Sequence, residues 1–171
     1  EKRIFAGVDV EVARGGFLLV TGPNGSGKTT FLRLCAGLAV PSAGTLEIAV
    51  DRSRVGYLGH DPLVYRELTP LENLELYAKL YRIPDRRERI AALLERFGLW
   101  QARSTHSGTF SRGMLQRLGL CRLFLHEPDL LVLDEPYNAL DAAGIELLDR
   151  ELTERHGTAT FLVATHDPDH L

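Results

Sequence analysis

Gly22-Pro23-Asn24-Gly25-Ser26-Gly27-Lys28-Thr29 stands between an apolar run, Phe17-Leu18-Leu19-Val20-Thr21, and a segment of helical period. In that segment Phe31, Leu34, Cys35 and Leu38 recur on one face, with Gly37 near its end. The octet satisfies G-x-x-x-x-G-K-[ST] at every position, in the strand–loop–helix setting the pattern requires. Glycines let consecutive backbone N–H groups turn inward around a polyphosphate, and the following helix N-terminus adds partial positive charge. Only three lysines, Lys2, Lys28 and Lys79, occur against 17 arginines, so a lysine in the glycine cluster calls for a chemical reason. An ammonium there reaches β- and γ-phosphates, and the Thr29 hydroxyl is a hard oxygen ligand for Mg²⁺. The segment from Gly22 through Thr30 is therefore expected to bind a nucleoside triphosphate.

Beyond this loop, Pro41-Ser42-Ala43-Gly44 reads as a turn into Thr45–Val50, whose alternation suggests an exposed strand. Val55–Leu58 is a further short strand candidate. From Thr69 the period changes. Thr69 is an expected N-cap, Pro70 a first helical residue and Glu72 an acidic first turn. Leu71, Leu74, Tyr77, Ala78 and Tyr81 then line one helix face. Asp85 is expected to cap a second helix, with Ile90, Leu93, Leu94 and Phe97 as its apolar face and Gly98 as its stop. Met114–Phe124 and Ala142–Glu154 read as helices. Leu130–Leu133 and Thr160–Ala164 are uninterrupted apolar strands, the kind buried on both faces of a parallel sheet. The fold class expected is α/β with a mainly parallel sheet and a helical excursion between about residues 70 and 125. A chain of 171 residues with 44% apolar and 25% charged residues can build one such domain, and excludes disorder and disulfide scaffolds. Cys35 and Cys121 lack CxxC spacing and read as buried cytosolic thiols.

A phosphate loop alone does not separate kinases, GTPases and motor ATPases. Leu130-Leu131-Val132-Leu133-Asp134-Glu135 narrows the choice, because an apolar strand delivers two carboxylates to its C-terminal edge, where open α/β sheets bind ligands. Asp134 can hold the metal through water, and Glu135 is placed to orient or deprotonate the attacking water. No N-K-x-D guanine-reading motif occurs. A histidine closing a strand is ordinarily structural, but His166, in company with the two motifs above, reads as a sensor of the γ-phosphate.

These residues resemble one family, the nucleotide-binding subunits of ABC transporters. The motif order matches: GPNGSGKT at 22–29, FSRGM at 110–114, LLVLDEP at 130–136, NALD at 138–141 and ATHD at 164–167. The resemblance implies a P-loop NTPase (RecA-like) core, 1–68 and 126–171, with a helical subdomain and signature in 69–125. It implies ATP and Mg²⁺ as ligands, with Thr29 and Asp134 at the metal, Glu135 as catalytic base and His166 as switch histidine. Ser111 and Gly113 would cap the ATP of an opposite subunit, and Asp141 would lie in a loop coupling two sites. The partners implied are a second ATPase subunit and a transmembrane permease docking near residues 60–75, with no nucleic acid and no direct membrane insertion. The location implied is cytoplasmic, on the inner face of the membrane through that permease. His60-Asp61, residues 67–74 and Ser111–Met114 most resemble the haem-exporter ATPases of cytochrome c maturation.

The chain departs from the family pattern at three places. His60 stands where a glutamine usually faces the metal, and is expected near the γ-phosphate without coordinating Mg²⁺, which prefers oxygen. Arg112 and Met114 replace a glycine and a glutamine of the signature. The adenine-stacking ring is expected upstream of residue 1, Phe5 aligning with a buried strand position, and both ends are expected to be trimmed. Three other readings remain open here, the most distant a small-molecule P-loop kinase, for which no acceptor-binding lid is evident. A soluble ABC-type ATPase of translation or DNA repair is disfavoured by the lack of a coiled-coil insertion or second cassette. A regulatory module without useful hydrolysis is disfavoured by intact Glu135 and His166. The formal net charge of −3 offers no basic field for nucleic acid.

Overall fold

The computed structural model describes residues 3–167, which divide into two compact units. Of the described residues, the first unit comprises 3–60, 129–136 and 155–167, and the second 61–128 and 137–154.

The first unit is built on a parallel sheet of β1 (Phe17–Thr21), β2 (Val55–Leu58), β3 (Leu130–Asp134) and β4 (Thr160–Thr165), in the order β1-β4-β3-β2. Every residue of β3 and β4 is buried, as continuous apolar runs in the middle of a parallel sheet require. β1 is an edge strand in which Phe17 and Leu19 are exposed, so its unbroken apolar sequence lines only one buried face. Helix α1 (Lys28–Cys35) packs on β3 and β4 through Leu32, Cys35 and Ala36, against Leu130, Val132, Leu162 and Ala164. It ends earlier than its apolar period: Gly37 is left-handed (φ +68), Leu38 N–H donates to Arg33 O at 2.8 Å, and the Leu38 side chain is exposed.

Two expectations fail in this unit. Residues 45–50 form no strand. Their alternation does turn Ile48 and Val50 onto the α1 cluster, but β1 pairs only with β4 and β2 only with β3 among the described residues. An apolar face does not make a strand where the backbone has no ladder to join. Phe5 also lies outside any strand and is 36% exposed, its ring meeting Phe31 edge-on at 6.2 Å.

The second unit comprises α2 (Pro70–Leu80), α3 (Arg86–Arg96), α4 (Arg112–Phe124) and α5 (Ala142–Glu154). Helices α2, α3 and α4 pack on one another around Leu74, Ala78, Ile90, Leu94, Phe97 and Leu118, with Phe97 stacked on Phe124 at 5.9 Å. Arg96 of α3 reaches the buried Glu151 of α5 at 2.6 Å. Thr69 and Glu72 complete a capping box at the start of α2. Asp85 occupies the N-cap position of α3 but makes no cap: its backbone is left-handed (φ +50), whereas a capping side chain needs an extended one. Gly98 stops α3 as expected, with φ +67 and Leu99 N–H donating to Leu94 O at 2.7 Å.

Candidate functional site

All the chemistry expected of the first unit converges on the C-terminal edge of its sheet. β1 ends at Thr21 and the chain turns through Gly22–Gly27 into α1. Gly27 is the N-cap of α1 with φ +104, and a Cβ there would come within 2.5 Å of Ile4 Cγ2, so both conformation and space demand glycine. At Gly25 φ is +81 and no atom lies within 4 Å of an added Cβ, leaving the loop's outer curve open. Pro23, Asn24, Gly25, Ser26 and Thr29 are exposed, while Gly22, Gly27 and Thr30 are half-buried. Lys28 is buried. Its ammonium donates to Gly22 O at 2.7 Å and reaches Pro23 O at 3.4 Å.

The end of β3 brings the acids to the same place. Asp134 is 2% exposed, and its Oδ2 has no hydrogen-bond partner among the described residues. Burial, then the charge of Asp134, raises the Tyr57 phenol above its ordinary range. Glu135 holds an unusual left-handed backbone, φ +50, and its N–H donates to Ala164 O at 2.8 Å. Its carboxylate is divided between two surroundings. Oε2 lies 2.9 Å from His166 Nδ1 and accepts from the Thr165 hydroxyl at 3.2 Å. Oε1 lies 3.7 Å from Lys28 Nζ, beyond hydrogen-bond reach, and has no other partner among the described residues. Two buried carboxylate oxygens without donors, beside a buried ammonium and an open glycine loop, suit a polyphosphate carrying a hard divalent cation. Thr165 was not singled out by its sequence, because a β-branched residue closing an apolar strand reads as a strand former. His60 follows Gly59 just beyond the end of β2 and is exposed.

The signature segment lies in the second unit. Ser111 caps α4, its Oγ accepting from Met114 N–H at 3.2 Å, and Arg112 opens the helix. Gly113 faces the loop before α5: an added Cβ would stand 2.8 Å from Ala139 O. Arg117 donates to Asp141 at 3.2 Å, and Asp141 in turn accepts from Gly144 N–H at 3.0 Å. Cys35 and Cys121 are buried free thiols, and burial raises both.

A glycine loop between β1 and α1, with Asp134 and Glu135 at the end of β3, one strand away across β4 in the same parallel sheet, defines an α/β P-loop NTPase. Residues 5–138 match the family model described as ABC transporter. The chain belongs to this family, as an ABC transporter ATP-binding domain. It is 39% identical over 178 residues to the uncharacterized ABC transporter ATP-binding protein YdbJ of Bacillus subtilis, covering 96% of this chain and 57% of that protein. It is 36% identical to the cytochrome c biogenesis ATP-binding export protein CcmA of Pseudomonas syringae pv. syringae, over 99% of this chain and 85% of the relative. Among solved structures it resembles the dimeric post-hydrolysis state of the ATP-binding cassette MJ0796 bound to ADP and Pi. That likeness has a TM-score of 0.83 at 29% identity, over 98% of this chain and 82% of the other.

Proposed function

We propose that this chain is the ATP-hydrolysing part of an ABC transporter, acting as a dimer that drives a transmembrane permease. One observation carries the reading: Lys28 and His166 flank the Glu135 carboxylate, on its two different oxygens, at one sheet edge. The loop N–H groups from Gly22 to Thr30 bind the phosphates, and Lys28 exchanges the Gly22 carbonyl for phosphate oxygen. Thr29 and Asp134 would hold Mg²⁺, which supplies charge neutralisation at the β- and γ-phosphates. Glu135 orients the attacking water and accepts its proton, and His166 hydrogen-bonds the γ-phosphate. Ser111 and Gly113 contact the nucleotide of the second subunit, and Asp141 couples the two sites. Residues 1–68 and 126–171 act as the catalytic core and 69–125 as the helical subdomain, with permease docking near residues 60–75. No nucleic-acid partner is involved. Among the described residues no helix is long and apolar enough to cross a membrane, which suits attachment to the inner face of the membrane through the permease. The likeness to a cytochrome c biogenesis ATP-binding export protein supports haem export as the transport driven.

The test is Glu135→Gln in the full-length protein. The amide keeps shape and loses basicity, so turnover should fall by about a hundredfold or more while ATP binding persists. Size-exclusion chromatography should then show a dimer with ATP that weakens with ADP. A monomer under both conditions overturns the shared-site reading.

A further inference from the structure

We propose that Thr165 is a positioning residue for Glu135, a role that rests on the reading of Glu135 as the base. Thr165 closes β4, is 5% exposed, and stands in register with Thr21, the residue before the phosphate loop. Its hydroxyl accepts from Asp167 N–H at 3.1 Å. That bond fixes the oxygen and leaves one proton to give. Two acceptors compete for it, Glu135 Oε2 at 3.2 Å and Asp167 O at 3.1 Å. At similar distances a charged acceptor makes the stronger bond, so the proton goes to the carboxylate.

Glu135 needs such a restraint. Its φ of +50 is uncommon for any residue with a side chain, and such a conformation persists only where neighbours over-determine it. The backbone is held by Ala164 O, one residue before Thr165, and the side chain by the Thr165 hydroxyl and His166 Nδ1. Both side-chain partners approach Oε2, which leaves Oε1 turned toward Lys28. The geometry assigns to Thr165 the choice of how the carboxylate is turned, with one oxygen held at the end of β4 and the other facing the phosphate loop. It also links that choice to the turn carrying His166, because the same hydroxyl anchors Asp167 N–H.

The experiment compares Thr165→Val and Thr165→Ser with Glu135→Gln and the double variant Thr165→Val/Glu135→Gln, in the full-length protein with Mg-ATP. Valine keeps the β-branched shape without the hydroxyl. Thr165→Val should lower kcat by roughly tenfold, the value of one charge-assisted hydrogen bond, and leave the KM for ATP within about twofold. Thr165→Ser should recover most of the rate. In the Glu135→Gln background Thr165→Val should lower the rate no further, since the two residues act through one carboxylate. A wild-type kcat in Thr165→Val beside an inactive Glu135→Gln overturns this proposal and leaves the base assignment standing. An active Glu135→Gln overturns the base assignment itself. Should the valine variant fail to fold, Thr165→Ala replaces it, and an equal loss of kcat in Thr165→Ala and Thr165→Ser overturns the role of the hydroxyl.

Discussion

Lys28 is held by its own loop, its ammonium on the Gly22 carbonyl and within 3.7 Å of the Glu135 carboxylate. Those partners hold the charge in place without using it up, because phosphate oxygens make stronger charge-assisted bonds than a neutral carbonyl. Lys28→Ala should therefore weaken ATP binding by about tenfold to a hundredfold, as titration calorimetry would show. An affinity equal to the unsubstituted protein would remove the phosphate-loop reading. At this scale the sequence singled out Lys28, Glu135 and His166, which the structure gathers at one sheet edge, because phosphate chemistry would demand particular residue types at fixed spacing. It did not give the arrangement. Thr165 enters the sequence reading only as one letter of ATHD, with no role attached, and the left-handed backbone of Glu135 could not be inferred from an acid following an apolar strand.

Element ends show when local signals suffice. At α2 the Thr69 side chain accepts from Glu72 N–H at 3.3 Å, while the Glu72 carboxylate accepts from Thr69 N–H at 2.8 Å. The bonds that this carboxylate accepts, first from the Thr69 N–H and then from the Thr69 hydroxyl, hold the Glu72 carboxyl below its ordinary value. Thr69→Ala removes one half of the box, and should destabilise the protein by about 1 kcal/mol in urea unfolding. A loss under a few tenths would mean that Pro70 and tertiary packing hold the turn without it. At α3 the same type of signal, Asp85, misleads because the chain enters that helix through a left-handed residue. Between α2 and α3 Pro84 marks a stop, but the left-handed position at the end of α2 falls on Arg82 (φ +55), where glycine is usual. Ile83 and Ile90, on either side of this turn, are both buried, and burial of that kind has no residue-type rule of its own.

Across the whole molecule, long-range contacts hold the sheet's entry edge together. Arg54, before β2, grips Asp129, before β3, through Nε at 3.0 Å and Nη2 at 2.8 Å, and Asp129 N–H donates to Arg54 O at 2.8 Å. The guanidinium hydrogen bonds hold the Asp129 carboxyl below its usual 3.8. A depressed folded value means the pair stabilises fully above the unfolded value and loses its contribution as pH falls through the folded one. Asp129→Asn should therefore cost about 0.5–1 kcal/mol at pH 7, a modest figure because the pair is partly exposed. The difference between variant and parent should shrink below about pH 4, where unfolded aspartate takes up its proton. Urea unfolding at pH 7 and pH 3 checks this, and a difference unchanged between them would show that the carboxylate charge contributes nothing.

The sequence by itself determined the phosphate loop, the order of the motifs, the two fully buried strands, and all five α-helices of the described residues to within a few residues. Each is a local matter: a glycine loop, a capping box or an unbroken apolar run carries its meaning within about ten residues. Only the tertiary structure decided the order β1-β4-β3-β2, the edge position of β1, and the failure of residues 45–50 to become a strand. Only it brought Lys28 and Glu135, 107 positions apart in the chain, to 3.7 Å, and put Thr165 and His166 on the same carboxylate. The physical reason is that strand pairing and side-chain convergence depend on which distant segment supplies the complementary hydrogen bonds and apolar surface. Local periodicity sets which face of a segment is buried, but it does not specify the partner.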